Sequence, residues 1–347
     1  MASSNKGDPS SALLEILDPE QNSVFQDNYL EETYDLSNVL FIATANYLQN
    51  VPAPLRDRLE LIELNSYTDV EKFHIAKEHL ISKQAQINGL TLDQIEVPDE
   101  TIYELIRFYT REAGVRELER LISTLCRKSV VELMRNENLE KVIVTPSKVK
   151  EYLGQRKYEY SKKEKDNQVG IVTGLAYTEF GGDILPIEVT SFEGKGEFIV
   201  TGNLGNVMKE STSIALDYVK ANATKYQIDP KFFENHTIHI HCPEGAVPKD
   251  GPSAGIAITT AIVSSLTGRK VSSLVAMTGE VNLRGFALPI GGLKEKTLAA
   301  LRSGIKTVII PKDNEKDLEK ISPEVKDNLN IVLMNTVDDA LKIALVD

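Results

Sequence analysis

Apolar positions along the chain change their period twice. Between residues 10 and 64 short runs of two kinds alternate. SSALLEIL (10–17) repeats at helical spacing, whereas SNVLFIATAN (37–46) is a continuous apolar run closed by a polar residue, the pattern of a buried strand. VPAPLRDRLELIEL (51–64) predicts a short proline-bounded helix and a further strand. From Thr68 the pattern is helical: 68–87, 99–110 and 115–136 read as amphipathic helices, with Leu118, Leu121, Ile122 and Leu125 on one face of the last. Beyond residue 168 strands return. VGIVTGLAYT, DILPIEVTSF and EFIVTG precede a long helix over 205–226. HTIHIHC (236–242) alternates, placing His239 and His241 on one face and Ile238 and Ile240 on the other. A helix follows Ser253, SLVAMTG and LRGFALPIGG read as strands or turns, and GLKEKTLAALRSG is a helix closed by glycine. KTVIIP and NIVLMN alternate with helices in βαβ order.

These shifts predict an α/β unit's tail over 1–64, a helical subdomain over 65–153 and one α/β domain over 169–347. The charged, aliphatic-poor stretch GQRKYEYSKKEKDNQ (154–168) is expected to be a solvated linker between the last two. No internal repeat is visible. The formal net charge of −12 would repel nucleic acid and anionic membrane, so neither is an expected partner. The best apolar run, AGIAITTAIVSSL (254–266), falls short of the roughly 18 residues that span a bilayer and reads as a buried helix. Two cysteines, Cys126 and Cys242, imply no disulfide framework and suit a reducing cytoplasm. The N-terminus lacks a basic region followed by an apolar core, so no signal peptide is expected. It enters helical pattern almost at once, as a segment cut from a longer protein would.

Several candidate chemistries can be weighed. His239, His241 and Cys242 lie close together, but no downstream Cys or His completes a ligand set, so no metal is expected. GNLGNVMKES (202–211) resembles a phosphate loop but fails its spacing, and no G-x-x-x-x-G-K-[ST] occurs anywhere; Gly202 and Gly205 read as a strand-to-helix turn. Ser147 and Lys150 fit S-x-x-K on what reads as an ordinary capped helix start. In PEGAVPKDGPSAGIAI (243–258) Ser253 stands at a helix start, where serine is a favoured N-cap. As a nucleophile it would need a base. A histidine backed by a carboxylate is one option, with His239 or His241 on the preceding strand. A lysine whose burial drives its pKa toward neutrality is another. PIGGLKEKTLAAL offers Lys294 and Lys296, which read alone are two solvated lysines. A helical wheel sets Lys294 nearer the middle of the arc of Leu293, Leu298 and Leu301, with Lys296 at its edge.

Together these segments resemble the Lon family of ATP-dependent proteases along nearly the whole chain. PKDGPSAG (248–255) is similar to the motif around that family's nucleophile, which falls on Ser253, and GGLKEK (291–296) to its lysine motif, which falls on Lys296. AMTGEVNLRG (276–285) lies between them, and the resemblance implies that Thr278 supports the lysine by a hydrogen bond. GDPSSALLEILDPEQN (7–22) resembles the segment after Walker B. ATAN places sensor 1 at Asn46, PAPLRDR the arginine finger at Arg58, and REAGVRELER sensor 2 at Arg116. The resemblance implies the tail of an AAA+ α/β subdomain, a helical AAA+ lid and a mixed α/β proteolytic domain. It further implies a Ser-Lys dyad acting through an acyl-enzyme, polypeptide substrates drawn from misfolded and short-lived regulatory proteins, ATP with Mg, and a hexameric ring. Walker A and Walker B do not occur in these residues, so this chain alone is not expected to hydrolyse ATP. Ser253 is expected both to cap its helix and to attack the peptide carbonyl. The rival reading is a catalytically silent assembly or adaptor module derived from an AAA+ ring, which the intact Ser253/Lys296 pair opposes.

Overall fold

The first long helix begins where the sequence supplies both halves of a capping box. Thr68 Oγ1 accepts from the Glu71 N–H at 3.2 Å, and the Glu71 carboxylate accepts from the Thr68 N–H at 2.7 Å. The computed structural model describes every residue except 1–8, 28, 46–50, 63, 65, 137, 159–163, 179–180, 244–246 and 347. The chain divides into two compact units, Met1–Asn65 and Ser66–Asp347.

In Met1–Asn65 a helix over Pro9–Leu17 matches the pattern, as does the short helix Ala53–Arg56, whose Leu55 is buried. The two expected strands are absent among the described residues. Positions 39–45 form no strand, with Leu40 84% and Ile42 85% exposed, and Leu61, Ile62 and Leu64 are likewise exposed. An apolar run becomes a buried strand only when neighbours take up its N–H and C=O groups. The pairing seen in this unit is the three-residue hairpin Phe25–Asp27 with Glu32–Tyr34.

Ser66–Asp347 is mixed α/β. Its helical part comprises α1 (Asp69–Ile75), running through a π-helical turn (Ala76–Leu80) into α2 (Ile81–Ile87), then α3 (Asp99–Phe108), α4 (Arg116–Arg135) and α5 (Pro146–Leu153). Leu118, Ile122 and Leu125 are fully buried in the core of this bundle, as their spacing predicts. Beyond α5, Arg156 bonds Glu104 at 2.7 Å and lies over the Phe108 ring, so the start of the charged stretch packs on the helices.

The strand-rich part is built on a seven-stranded sheet. Its members are β1 (Ile171–Thr178), β2 (Gly181–Glu193), β3 (Phe198–Thr201), β4 (His236–His241), β5 (Val275–Met277), β6 (Thr307–Pro311) and β7 (Asn330–Met334), in the order β7-β6-β5-β1-β2-β4-β3. β7, β6, β5 and β1 run parallel, β2 is antiparallel to β1 and β4, and β3 is parallel to β4. Helices α6 (Asn206–Ala221), α7 (Gly255–Thr267) and α9 (Val337–Ala344) share one core with Val172, Leu185, Ile187, Ile238 and Ile240. Helix α8 (Leu293–Arg302) joins a second core with Leu175 and Ile184. Alternation along β1 and β2 sends these two sets to opposite faces. The serine segment before α7 and the lysine segment of α8 meet at the end of the central strand β5. α7 is buried from Gly255 to Ser264, as a helix apolar on all sides must be.

Candidate active site

Ser253 lies in the turn before α7 and does not cap it. The N-cap is Ala254, without a side-chain hydrogen bond. The expected cap is displaced because main-chain carbonyls already serve the first turn. Gly255 N–H donates to Pro252 O at 3.1 Å and Ile256 N–H to Gly279 O at 3.0 Å. The hydroxyl is thereby left to another partner. Lys296 Nζ stands 3.1 Å from Ser253 Oγ and 3.1 Å from Thr278 Oγ1. Thr278 Oγ1 in turn donates to Ser253 O at 3.3 Å, and Gly279 N–H donates to the same oxygen at 2.8 Å. The β5 end and the serine turn thus hold each other.

Lys296 is 2% exposed, and burial alone pushes its pKa down from 10.5 to about 8. Lys294 instead reaches the Glu71 carboxylate at 3.3 Å. The helical wheel therefore centres on the lysine that is the more exposed of the two and pairs with Glu71. α8 buries Leu293, Lys296, Thr297, Ala299 and Ala300, one leucine, three small residues and one lysine stem, while Leu298 and Leu301 are only partly buried. Gly292, at φ +69°, starts the helix in a conformation that a β-carbon would strain.

The loop ahead of Ser253 is fixed by Asp250, whose role the sequence does not signal. Asp250 Oδ1 accepts from Met208 N–H of α6 and from Gly251 N–H, both at 2.9 Å. It therefore caps α6 from a distant segment. Gly205 N–H also donates to Lys249 O at 2.7 Å. Among the described residues no hydrogen bond takes up the N–H of Ser253 or of Ala254. Both are available beside the hydroxyl.

The histidines take no part in this cluster. His239 Nε2 and His241 Nδ1 lie 2.9 and 2.7 Å from Thr201 Oγ1, on the sheet face opposite Ile238 and Ile240. Among the described residues no three His, Cys, Asp or Glu side chains are placed to hold a metal ion. Cys126 and Cys242 are free and buried, each thiol pushed up to about 11 by burial, which removes them as nucleophiles.

Asn46 lies outside the described residues. Arg58 is exposed, 3.6 Å from Asp18, and Arg116 is exposed at the start of α4. The 347 residues contain no glycine-rich loop ending in Lys-Ser/Thr, the motif whose backbone wraps β- and γ-phosphates. No helix among the described residues is long and apolar enough to cross a membrane.

The family model for the Lon protease (S16) C-terminal proteolytic domain matches residues 143–347, and that for the Lon protease AAA+ ATPase lid domain matches 86–142. The chain is 54% identical over 343 residues to Lon protease of Mycoplasma mycoides, covering 99% of this chain and 43% of that protein. It is 53% identical over 346 residues to Lon protease 1 of Bacillus subtilis, covering 100% and 45% respectively. Against Lon protease of Haemophilus influenzae it is 55% identical over 345 residues, covering 99% and 43%. The chain spans less than half the length of these relatives. With the proteolytic-domain model matched across more than half of its residues, the chain belongs to the Lon protease family.

Proposed function

We propose that this chain carries the peptide-cleaving part of a Lon-type serine endopeptidase, with Ser253 as nucleophile and Lys296 as general base. The observation that carries this reading is the buried amine 3.1 Å from the serine hydroxyl, with its pKa near 8. At neutral pH a usable fraction of Lys296 is uncharged and accepts the hydroxyl proton as Oγ attacks the substrate carbonyl. The oxyanion that forms is met by the N–H groups of Ser253 and Ala254. The Lys296 ammonium returns its proton to the departing amine, and the Ser253 acyl ester remains. Water, deprotonated by the same amine, then releases the acid. Thr278 acts through the lysine, accepting one of its hydrogen bonds and so fixing its direction.

Polypeptides are the substrates of this reading, misfolded and short-lived regulatory proteins among them. A homohexameric ring, ATP with Mg bound by the whole protein, and a cytoplasmic setting are parts of the same proposal. The proposed domain limits are 1–64, 65–153, 154–168 and 169–347. Asn46, Arg58 and Arg116 are proposed as nucleotide-sensing positions; no step of cleavage is routed through them.

Incubation with a fluorophosphonate, followed by adduct mapping, tests the proposal. Modification of Ser253 is expected, lost in Lys296→Ala and retained in His239→Gln and His241→Gln. Absence of label on Ser253 in the unsubstituted chain supports the silent-module reading instead. Loss of label in either histidine variant replaces the dyad with a triad.

A further inference from the structure

α8 delivers the lysine, yet much of what holds α8 comes from the helical part. Lys294 in its first turn is paired with Glu71 of α1. Glu295 Oε1 accepts from Ser66 Oγ at 3.5 Å. In its last turn Arg302 lies 3.7 Å from Asp69, also of α1, and donates to Gly182 O at 2.9 Å. Arg107 of α3 reaches the other Asp69 oxygen at 3.5 Å.

The start of β2 is gripped in the same way. A β-carbon built on Gly182 would lie 2.0 Å from the Glu295 carbonyl oxygen and 3.0 Å from the Lys296 nitrogen, so this strand end rests directly on the peptide unit that carries the lysine. Next to it, Asp183 is 3.4 Å from Arg111, which lies in the loop leading into α4. That loop is tied to α1 by the buried Lys72, whose ammonium donates to Glu112 O.

The seam between the two parts is held largely by ion pairs, with Ile106 and Leu298 also lining it. The buried apolar clusters stay on either side of it, with none bridging 73–149 to 172–345 among the described residues. A cleft lined by Asp69, Gly182, Glu295 and Arg302 runs along it. Polar seams of this kind permit relative adjustment where an apolar core would not.

We propose that Asp69, Glu71 and Arg111 of the helical part are positioning residues for Lys296. They hold the two ends of α8 and the Gly182–Asp183 strand end against it, so that the seating of the helical part on the sheet sets how closely the lysine meets Ser253. The proposal rests on the reading of Lys296 as the base. Charged groups on the elements packed around the lysine are engaged elsewhere: Asp183 with Arg111, Glu295 with Ser66, Lys294 with Glu71, and Asp250 with Met208 N–H. None of them, nor Glu280 after Thr278, bonds the Lys296 amine, whose hydrogen bonds run to Ser253 and Thr278. The helical part therefore acts on the lysine through the position of α8.

The test is the rate of Ser253 labelling by a fluorophosphonate between pH 6 and 10, in the full 347-residue chain. The variants are Glu71→Gln, which keeps a capping-box acceptor, Lys294→Gln, the double variant, and Lys294→Arg, which keeps the charge. Loosening α8 admits water to the lysine, so both neutralising variants should move the midpoint of the pH limb upward by about 0.5 and slow labelling about threefold at pH 7.5. The double variant should equal either single one, and Lys294→Arg should match the unsubstituted chain. A purely Coulombic influence moves the two midpoints in opposite directions, downward for Glu71→Gln and upward for Lys294→Gln. That result, unchanged midpoints, or additive losses would each overturn the proposal. No labelling of Ser253 in the unsubstituted chain would count against the dyad itself, a separate outcome.

Discussion

Lys296 shows how one buried side chain sets both reactivity and cost. Only the neutral amine accepts a proton, so peptide cleavage is expected to rise with pH through about pH 8, well below the ordinary lysine range. Replacing Lys296 with Ala should lower the cleavage rate by about 10²–10⁴-fold. Lys294→Ala should retain about a third or more of the activity at neutral pH, because its amine serves Glu71 and not the serine. Fluorogenic-peptide assays on the two variants decide the assignment, and a larger loss at Lys294 reverses it. The same burial has a stability consequence. Below about pH 8 Lys296 is protonated in both the folded and the unfolded chain, and the folded state bears the full cost of the buried charge. Between about pH 8 and 10.5 the unfolded chain holds a proton that the folded chain has released, so stability rises with pH across that window. Lys296→Met should therefore stabilise the fold below pH 8 by up to about 3 kcal/mol, a gain that fades toward pH 10.5 and is measurable by urea unfolding. Thr278→Val removes an acceptor from the ammonium. It should slow cleavage about tenfold and shift the pH limb downward, since the charged form loses a hydrogen bond.

Elements reach the site through contacts between segments far apart in the chain. Asp250 is a case: one carboxylate ends the serine loop and also caps α6, so the loop and a helix more than forty residues earlier are set by a single group. Asp250→Ala should cost about 1–2 kcal/mol in urea unfolding, the usual range for a lost cap, and should also reduce cleavage. Asp250→Asn keeps an acceptor for Met208 N–H and should lose less of both. A stability loss without any change in cleavage would show that the loop keeps its shape unaided. Helix spans were legible from periodicity: α4 falls within one residue at each end of the expected 115–136, and β4 shows the expected alternation. The α8 wheel misled for a specific reason. Its buried positions are Leu293, Lys296, Thr297, Ala299 and Ala300, and a pattern that scores only large apolar residues counts just the first of them.

At the scale of the whole molecule, the two units differ in how completely their residues find partners. Ser66–Asp347 buries three clusters of apolar side chains, whereas in Met1–Asn65 Leu40, Ile42 and Leu64 are largely exposed. Ser253, Thr278 and Lys296 all belong to the second unit, and no G-x-x-x-x-G-K-[ST] motif occurs in the 347 residues. Phosphate release from Mg-ATP by this chain is therefore expected to stay at background, with fluorogenic-peptide cleavage equal with and without nucleotide. Casein should be cut poorly in both conditions, because a folded or large substrate must be driven to the serine while a short peptide diffuses to it. ATP turnover, or casein degradation stimulated by ATP, would overturn this expectation.

What the sequence by itself determined is local or motif-borne: helix and strand periods, the onset of helical pattern at Thr68, the glycine-rich turns, and the segments that mark the family. Which chemistry those segments perform was not decided by spacing, since Ser253 and Lys296 stand 43 residues apart and two histidines lie closer in sequence. Tertiary structure alone turned the histidines toward Thr201, freed the Ser253 hydroxyl from capping, and buried Lys296 beside Ser253 while Lys294 pairs with Glu71. The physical reason is desolvation. A lysine's pKa responds to the sum of atoms that several separate segments bring around it, and no short window of sequence contains that sum.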